Sequence, residues 1–215
     1  MRLRFLLCAG FVCAALGHTE QLSIILLNTG GFTGSVPGGW QVKVNRGKPD
    51  VSVSREPEGA FLRLRSRASS YGLERSVDVD PAQLPWLTWN WKVTELPRGG
   101  DFRSARTDDQ AAQVLVAFAD RRILTYIWDS TAPKGLMQNA SSIPLVRIVA
   151  VVAQSGPQAA NQWLHEAHNL REDYQRAFGR TPPKVKGIRL QINSQHTGSA
   201  AESYFGEVAF RANNQ

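Results

Sequence analysis

Leu84–Ala119, reading LPWLTWNWKVTELPRGGDFRSARTDDQAAQVLVAFA, is the stretch whose reading decides the fold. Within it Leu87, Trp89, Trp91 and Val93 alternate with Thr88, Asn90 and Lys92, the period of two produced by a strand with two unlike faces. Val114–Ala119 is apolar at every position, as expected of a central strand covered on both sides. A polar loop joins the two runs and carries Gly99, Gly100 and the acidic pair Asp108 and Asp109. A centre of this kind specifies a mostly β fold; it does not specify a reaction.

Outward from that centre, apolar runs recur about every ten residues with turn chemistry between them. Ala60–Arg67, Leu73–Val79, Ile123–Asp129, Pro144–Ala153, Val185–Asn193 and Ser203–Phe210 all read as strands. This spacing predicts an antiparallel β-sandwich of jelly-roll type. One helix is expected over about 158–178, where Trp163, Ala167, Leu170, Tyr174 and Phe178 recur at helical spacing. Pro157 suits its first turn, and Gly179 before Thr181-Pro182-Pro183 is a stop signal.

The N-terminus has a different texture. Arg2 and Arg4 precede the apolar run Phe5–Leu16, which is short for a bilayer span, and Ala15-Leu16-Gly17 offers small residues where a signal peptidase cuts. Residues 1–17 are therefore expected to be a Sec-type signal peptide and 18–215 a single domain, periplasmic or secreted; a buried helix or an uncleaved anchor is the competing reading. Both cysteines, Cys8 and Cys13, fall in that segment, so the exported chain would rely on its core rather than on disulfides. There is no second long apolar run, and hence no expected transmembrane anchor after cleavage. The charge is +7, from 25 Lys+Arg against 18 Asp+Glu. Without Arg2 and Arg4 it is 23 against 18, or +5, scattered along the chain rather than gathered in the stripe a nucleic acid would require.

Several of these pieces together resemble a bacterial family catalogued as domain of unknown function 3047. They are Leu84–Val93, Asp108-Asp109-Gln110-Ala111-Ala112 running into Val114–Phe118, and Tyr126-Ile127-Trp128. Further along come Asn169, Asp173-Tyr174, Phe178-Gly179 before Pro182-Pro183, Asn193–Gly198 and Tyr204–Val208. The resemblance implies an exported protein with a fold similar to galactose-binding and carbohydrate-binding jelly rolls. It brings no established activity and no catalytic residues. One departure is visible: Asn193 and Gln195 stand before Thr197-Gly198, where the resemblance implies an Asp.

The candidate site residues each have two readings. Trp89 with Trp91, and Tyr126 with Trp128, are either core or flat platforms for sugar rings, with Gln191 among the polar groups that would add directional hydrogen bonds. Asp108 and Asp109 begin a buried strand, where a carboxylate is costly unless paired. They either cap the loop and bond an Arg or contact a ligand, and with Asp101 they could hold a structural Ca²⁺; no other cofactor is implied. Asp108 or Asp109 with Glu202 or Glu207 is the carboxylate pair a glycosidase would need. His165, His168 and Glu172 could share a helix face, as a metal site or a solvated surface. Asn169 and Asp173 either anchor the helix or line a site. No nucleophile elbow, phosphate loop or dinucleotide fingerprint occurs. The resulting expectation is an exported, non-catalytic binding protein for an envelope glycan or similar polar ligand. The alternatives are a polysaccharide-active enzyme with a carboxylate pair and an envelope structural or assembly protein.

Overall fold

The computed structural model describes residues 22–28, 34–57, 59–140 and 145–214. The expected signal peptide and its cleavage point lie outside the described residues. The chain runs through β1 (Ser23–Leu27), β2 (Gln41–Arg46), β3 (Asp50–Glu56), β4 (Gly59–Arg67) and β5 (Ser70–Val79). Next come β6 (Trp86–Glu95), β7 (Ala112–Phe118), β8 (Arg122–Asp129), β9 (Met137–Asn139) and β10 (Arg147–Ser155). It ends with β11 (Leu164–Asn169), α1 (Leu170–Phe178), β12 (Val185–Asn193) and β13 (Ala200–Arg211).

These strands form two packed sheets, a β-sandwich. One has the order β11-β6-β13-β4-β3 with β1 paired farther along β13; the other has the order β2-β5-β12-β7-β8-β10-β9. The core between them draws on alternate residues of each strand. Leu87, Trp89, Trp91 and Val93 of β6 join Phe205, Val208 and Phe210 of β13 on one side; Val114, Val116, Leu124, Tyr126, Trp128, Leu190 and Ile192 come from the other. Trp89 meets Trp91 edge-on at 5.3 Å between ring centroids, Trp89 meets Tyr126 at 5.2 Å, and Trp91 meets Trp128 at 5.7 Å. Each fully enclosed large apolar side chain of this kind contributes about 1.5–3 kcal/mol.

Two expectations are corrected. The sandwich is not wholly antiparallel, because β8 and β10 run parallel from Arg122↔Arg147 to Asp129↔Ser155. The connection between them, residues 130–146, is a crossover that carries β9 rather than a tight turn, and a parallel pair needs that length. The expected helix 158–178 is only Leu170–Phe178. Residues before it form the edge strand β11, pairing Leu164↔Trp91 through Asn169↔Trp86 with the tryptophan strand. An unpaired β6 edge offers these residues a ladder of hydrogen bonds, and this tertiary pairing overrides the helical spacing of the apolar residues.

The helix starts at Asn169, whose side-chain oxygen accepts from Arg171 N at 3.1 Å and Glu172 N at 3.4 Å, while its amide donates to Glu172 Oε1 at 3.0 Å. Asn169 is therefore the N-cap, holding two backbone N–H groups of the first turn, and the Glu172 carboxylate in turn holds its side-chain amide. The stop signal holds: Gly179 takes φ +72 and its N–H bonds Gln175 O at 2.8 Å. Asn169→Ala should lower the unfolding free energy by about 1 kcal/mol, and Asn169→Asp should stay within about 0.5 kcal/mol of wild type, both read from urea denaturation midpoints.

Candidate functional site

The strand alternation that fills the core also builds the outer face of the seven-stranded sheet. On β12, Ile188, Leu190 and Ile192 are buried, so Gly187, Arg189, Gln191 and Asn193 point away from the core. Register then aligns two rows across the sheet. One is Gln41, Glu74, Arg189, Leu115 and Thr125; the next is Lys43, Gly72, Gln191, Gln113 and Ile127. Two cavities lie on this face and meet at Leu115. The larger, about 770 Å³, is lined by Lys43, Glu74, Arg75, Ile123, Gly187 and Arg189 among others. The smaller, about 310 Å³, is lined by Asn45, Asp108, Gln110, Gln113, Gln191 and His196 among others.

The polar side chains of this groove hold one another in place. Gln191 Nε2 donates to Gln113 Oε1 at 3.2 Å, and Gln113 Nε2 donates to Asn193 Oδ1 at 2.6 Å and Gln110 Oε1 at 2.9 Å. Asn193 also accepts from Gln110 N and donates to Asp108 O, so the residue that stands where an acid was expected is a two-way clamp on the loop. Arg189 crosses the sheet over Gly72 to reach Glu74 at 2.9 Å and Asn45 at 3.1 Å. A Cβ at position 72 would sit 2.6 Å from Arg189 Nε and 2.6 Å from Leu190 O, so only glycine permits the crossing. Burial pulls the Arg189 guanidinium below its ordinary pKa, opposed by Glu74. Thr125 Oγ1, Arg189 Nε and Gln195 Oε1 are buried without a hydrogen-bond partner, and all three residues line the groove.

Carboxylates set the walls. Asp109 is fully buried, and its oxygens accept from His196 N at 3.2 Å and Thr197 N at 2.6 Å, joining the two loops at one end of the groove. Asp129, also fully buried, accepts from the backbone N–H groups of Phe102, Thr131 and Ala132 at 2.8–3.0 Å. It thereby seats Phe102 and Ala132 on Ile127, Ala150 and Val152, a small apolar cluster on the outer face. Gly100 lets this loop close, because a Cβ there would lie 2.4 Å from Asp109 O. Asp108 borders the groove and accepts from Gln110 Nε2 at 2.9 Å. Desolvation raises its carboxyl above the ordinary value, against the pull of that bond and of His196.

Of the nine residues singled out from the sequence, the structure brings Asp108 and Gln191 together in the groove. Trp89, Trp91, Tyr126 and Trp128 are at most 1% exposed, so none presents a platform to a ligand; they fasten the sheets together. Asn169 caps α1. Asp173 is buried and accepts from Tyr126 Oη at 2.9 Å, pairs with His168 at 3.1 Å and with Arg176 at 3.4 Å, fastening the helix through side chains. The calcium reading of Asp108 and Asp109 lacks a donor set. Asp109 is occupied by backbone N–H groups, and Asp101 binds Arg103, which lowers its pKa to about 2. Among the described residues no group of three or more acidic, His or Cys side chains is placed to hold a metal. His165 and His168 lie on β11 rather than on a helix with Glu172. Nor does the proposed carboxylate pair assemble, since Glu202 is held by Arg63 and Glu207 by Arg211, on β13 of the other sheet. Val114–Ala119 is covered on one side only; Leu115 and Ala117 are half-buried in the groove.

Residues that the sequence reading missed are Asn45, Glu74, Gln110, Gln113 and Arg189. The polar alternation Lys186-Gly187-Ile188-Arg189-Leu190-Gln191-Ile192-Asn193 was the available signal, together with Gln113 as the polar residue of an apolar strand.

The family described as protein of unknown function (DUF3047) matches residues 38–209, and the chain belongs to it. No curated protein matches the chain. Its fold is similar to that of the xyloglucanase domain of a type three effector from Sinorhizobium fredii, solved in complex with cellobiose, at 6% identity and TM-score 0.51. The match covers 91% of this chain and 99% of that one. Also similar is the family 11 carbohydrate-binding module of a cellulosomal cellulase of Clostridium thermocellum, at 10% identity and TM-score 0.47, covering 89% and 95%. A xylan-binding module of family 15 matches at 9% identity and TM-score 0.43, covering 89% and 96%. At these identities the likeness is one of fold. Among the described residues no helix is long and apolar enough to cross a membrane.

Asp108 gives the groove a pH signature. Its raised pKa means that the folded chain keeps this proton to higher pH than the unfolded chain, so stability is lost as pH rises through that window. Asp108→Asn should therefore gain stability relative to wild type between pH 3 and pH 7, measured as the difference in urea midpoints. A difference independent of pH would show that Asp108 is not desolvated.

Proposed function

We propose that this member of the DUF3047 family is an exported, non-catalytic binding protein whose groove takes a glycan or a similarly extended, hydroxyl-rich ligand. The observation that carries this reading is the interlocked set Asn45, Gln113, Gln191 and Asn193 with Arg189, lining a groove on the sheet. Amide side chains donate and accept at once, which matches hydroxyl groups that do the same. Leu115, Ala117 and Ile123 supply apolar floor for the C–H faces of sugar rings. From Gly187 to Asn193 the floor is about 20 Å long, room for several linked units rather than one.

The pieces are also pre-organised. Side chains already fixed by mutual hydrogen bonds lose little further entropy when a ligand arrives. Export is supported by the basic start at Arg2 and Arg4, the apolar run Phe5–Leu16, and the absence of cysteine after Cys13. The fold likeness to carbohydrate-active and carbohydrate-binding proteins agrees with the reading without carrying it. Catalysis finds less support: of the acids lining the groove, Glu74 is bound by Arg189, and Asp108 has no second free carboxylate beside it.

A polysaccharide that binds the groove should raise the melting temperature of the purified protein by mass action. Gln191→Ala and Gln113→Ala should each weaken that binding roughly tenfold, the equivalent of one hydrogen bond left unmade. Glycan titrations in which both variants bind as tightly as wild type would refute the groove as the site.

A further inference from the structure

We propose that the end of the sandwich carrying Arg121, Arg122 and Arg147 docks on an anionic lipid surface, its arginines on the phosphate groups and Leu145 among the acyl chains. The inference stands apart from what the groove binds. Strand register gathers the arginines: β8 and β10 run parallel and start side by side, with Arg122 opposite Arg147. Both lie on the core-facing side of their strands, in step with Leu124 and Val149, but one layer beyond the enclosed core. There they cap one ring, Phe178 of α1, with guanidinium carbons 5.8 and 5.6 Å from its centroid. Arg121, exposed, turns the chain from β7 into β8. All three line a cavity of about 290 Å³ at this end.

The cavity is positively charged. Asp120 is the acid that lines it, and Asp120 is already held by Arg122 at 2.5 Å and by Tyr174 Oη at 2.5 Å. Among the described residues neither Arg121 nor Arg147 has a carboxylate partner, so two positive charges stay uncompensated. A guanidinium stacked on a ring still presents the N–H groups of its edge, and a phosphate has the oxygens to take them in pairs. Leu145 lines the same cavity and is 84% exposed, its backbone in the left-handed region at φ +66. One exposed leucine by itself is ordinary. Set among three arginines, it has the composition of a membrane-interface contact, in which cations stay at the level of the phosphates and an apolar side chain enters the layer below. A nucleic acid or a soluble polyanion would engage the arginines and leave Leu145 in water; a lipid surface takes up both. The chain also enters the fold at this end, where Ser23 pairs with Arg211 and Ala212 N bonds Leu22 O, so the cavity and the N-terminal side of the chain share one end of the strands.

The test is co-sedimentation of purified residues 18–215, which lack the apolar run Phe5–Leu16 and keep the whole described fold from Leu22, with two kinds of vesicle. One kind is phosphatidylcholine alone; the other is phosphatidylcholine mixed with phosphatidylglycerol. The protein should sediment with the anionic vesicles and not with the neutral ones, and less of it should do so as salt rises from low to physiological. Arg147→Gln and Arg121→Asn, the latter suited to the φ of +63 at that position, should each weaken binding roughly fivefold. Leu145→Asn, equally suited to its backbone, should also cost roughly fivefold, and its loss should not depend on salt. Lys43→Gln removes one charge toward the opposite end of the strands, where β2 pairs with Gly72, and should bind as wild type does. All four substitutions are at exposed positions, and unchanged melting temperatures separate a lost contact from a lost fold. Equal losses from Lys43→Gln and Arg147→Gln would overturn the proposal in favour of diffuse charge attraction. Losses from the arginine variants with none from Leu145→Asn would overturn the lipid surface in favour of a soluble phosphate-bearing partner. No sedimentation with the anionic vesicles would overturn it outright.

Discussion

The interlocked rings of Trp89, Trp91, Tyr126 and Trp128 are the constraint on which the rest of the molecule depends. They bridge β6 of one sheet and β8 of the other at centroid distances of 5.2–5.7 Å, and each is essentially without exposure. Side chains alternate strictly along a strand, so committing these four rings inward commits their neighbours outward. Thr125 and Ile127 face the groove because Tyr126 and Trp128 cannot. The register of β8 passes the same commitment to β7 and β12, where Gln113 and Gln191 fall side by side. The binding face is a consequence of the core rather than a separate construction.

Two of the four ring polar groups in this interior have partners. Trp128 Nε1 donates to Gly156 O at 3.0 Å, and Tyr126 Oη donates to Asp173. Asp173 also meets His168, which stacks on Trp89 at 5.3 Å. The edge strand β11 and the short helix α1 are thereby fastened to the aromatic centre through one carboxylate. The indole N–H groups of Trp89 and Trp91 remain unpaired, a cost the density of apolar packing around them outweighs.

Buried carboxylates do a different job at the rim. Asp109 and Asp129 accept from backbone N–H groups of loops, drawing His196 and Thr197, and Phe102, Thr131 and Ala132, into fixed walls beside the open sheet face. Both are fully buried and turned to those N–H groups. Asp109, one of the two acids that the linear chain offered to calcium or to a carboxylate pair, is bound to loop backbone in three dimensions. Asp108, one residue away, escapes that role and looks into the groove.

Periodicity alone determined the sandwich. The alternation at Leu87–Val93 and the regular turn spacing need no partner to be read, because a strand with two unlike faces must bury one of them. The C-terminal stop at Gly179 was equally local. What the linear chain could not supply was which aromatic pairs are covered, since a core tryptophan and a sugar platform have the same spacing; only the second sheet decides. It could not supply the parallel pairing of β8 with β10, or the claim of β6 on residues 164–169 as a strand, because both depend on which edges are vacant. The groove belongs to the same class. Asn45, Gln113, Arg189 and Gln191 come from three places in the chain, β2, β7 and β12, and meet only through the register of those strands with β5 between β2 and β12, a relation that exists only once distant segments have paired.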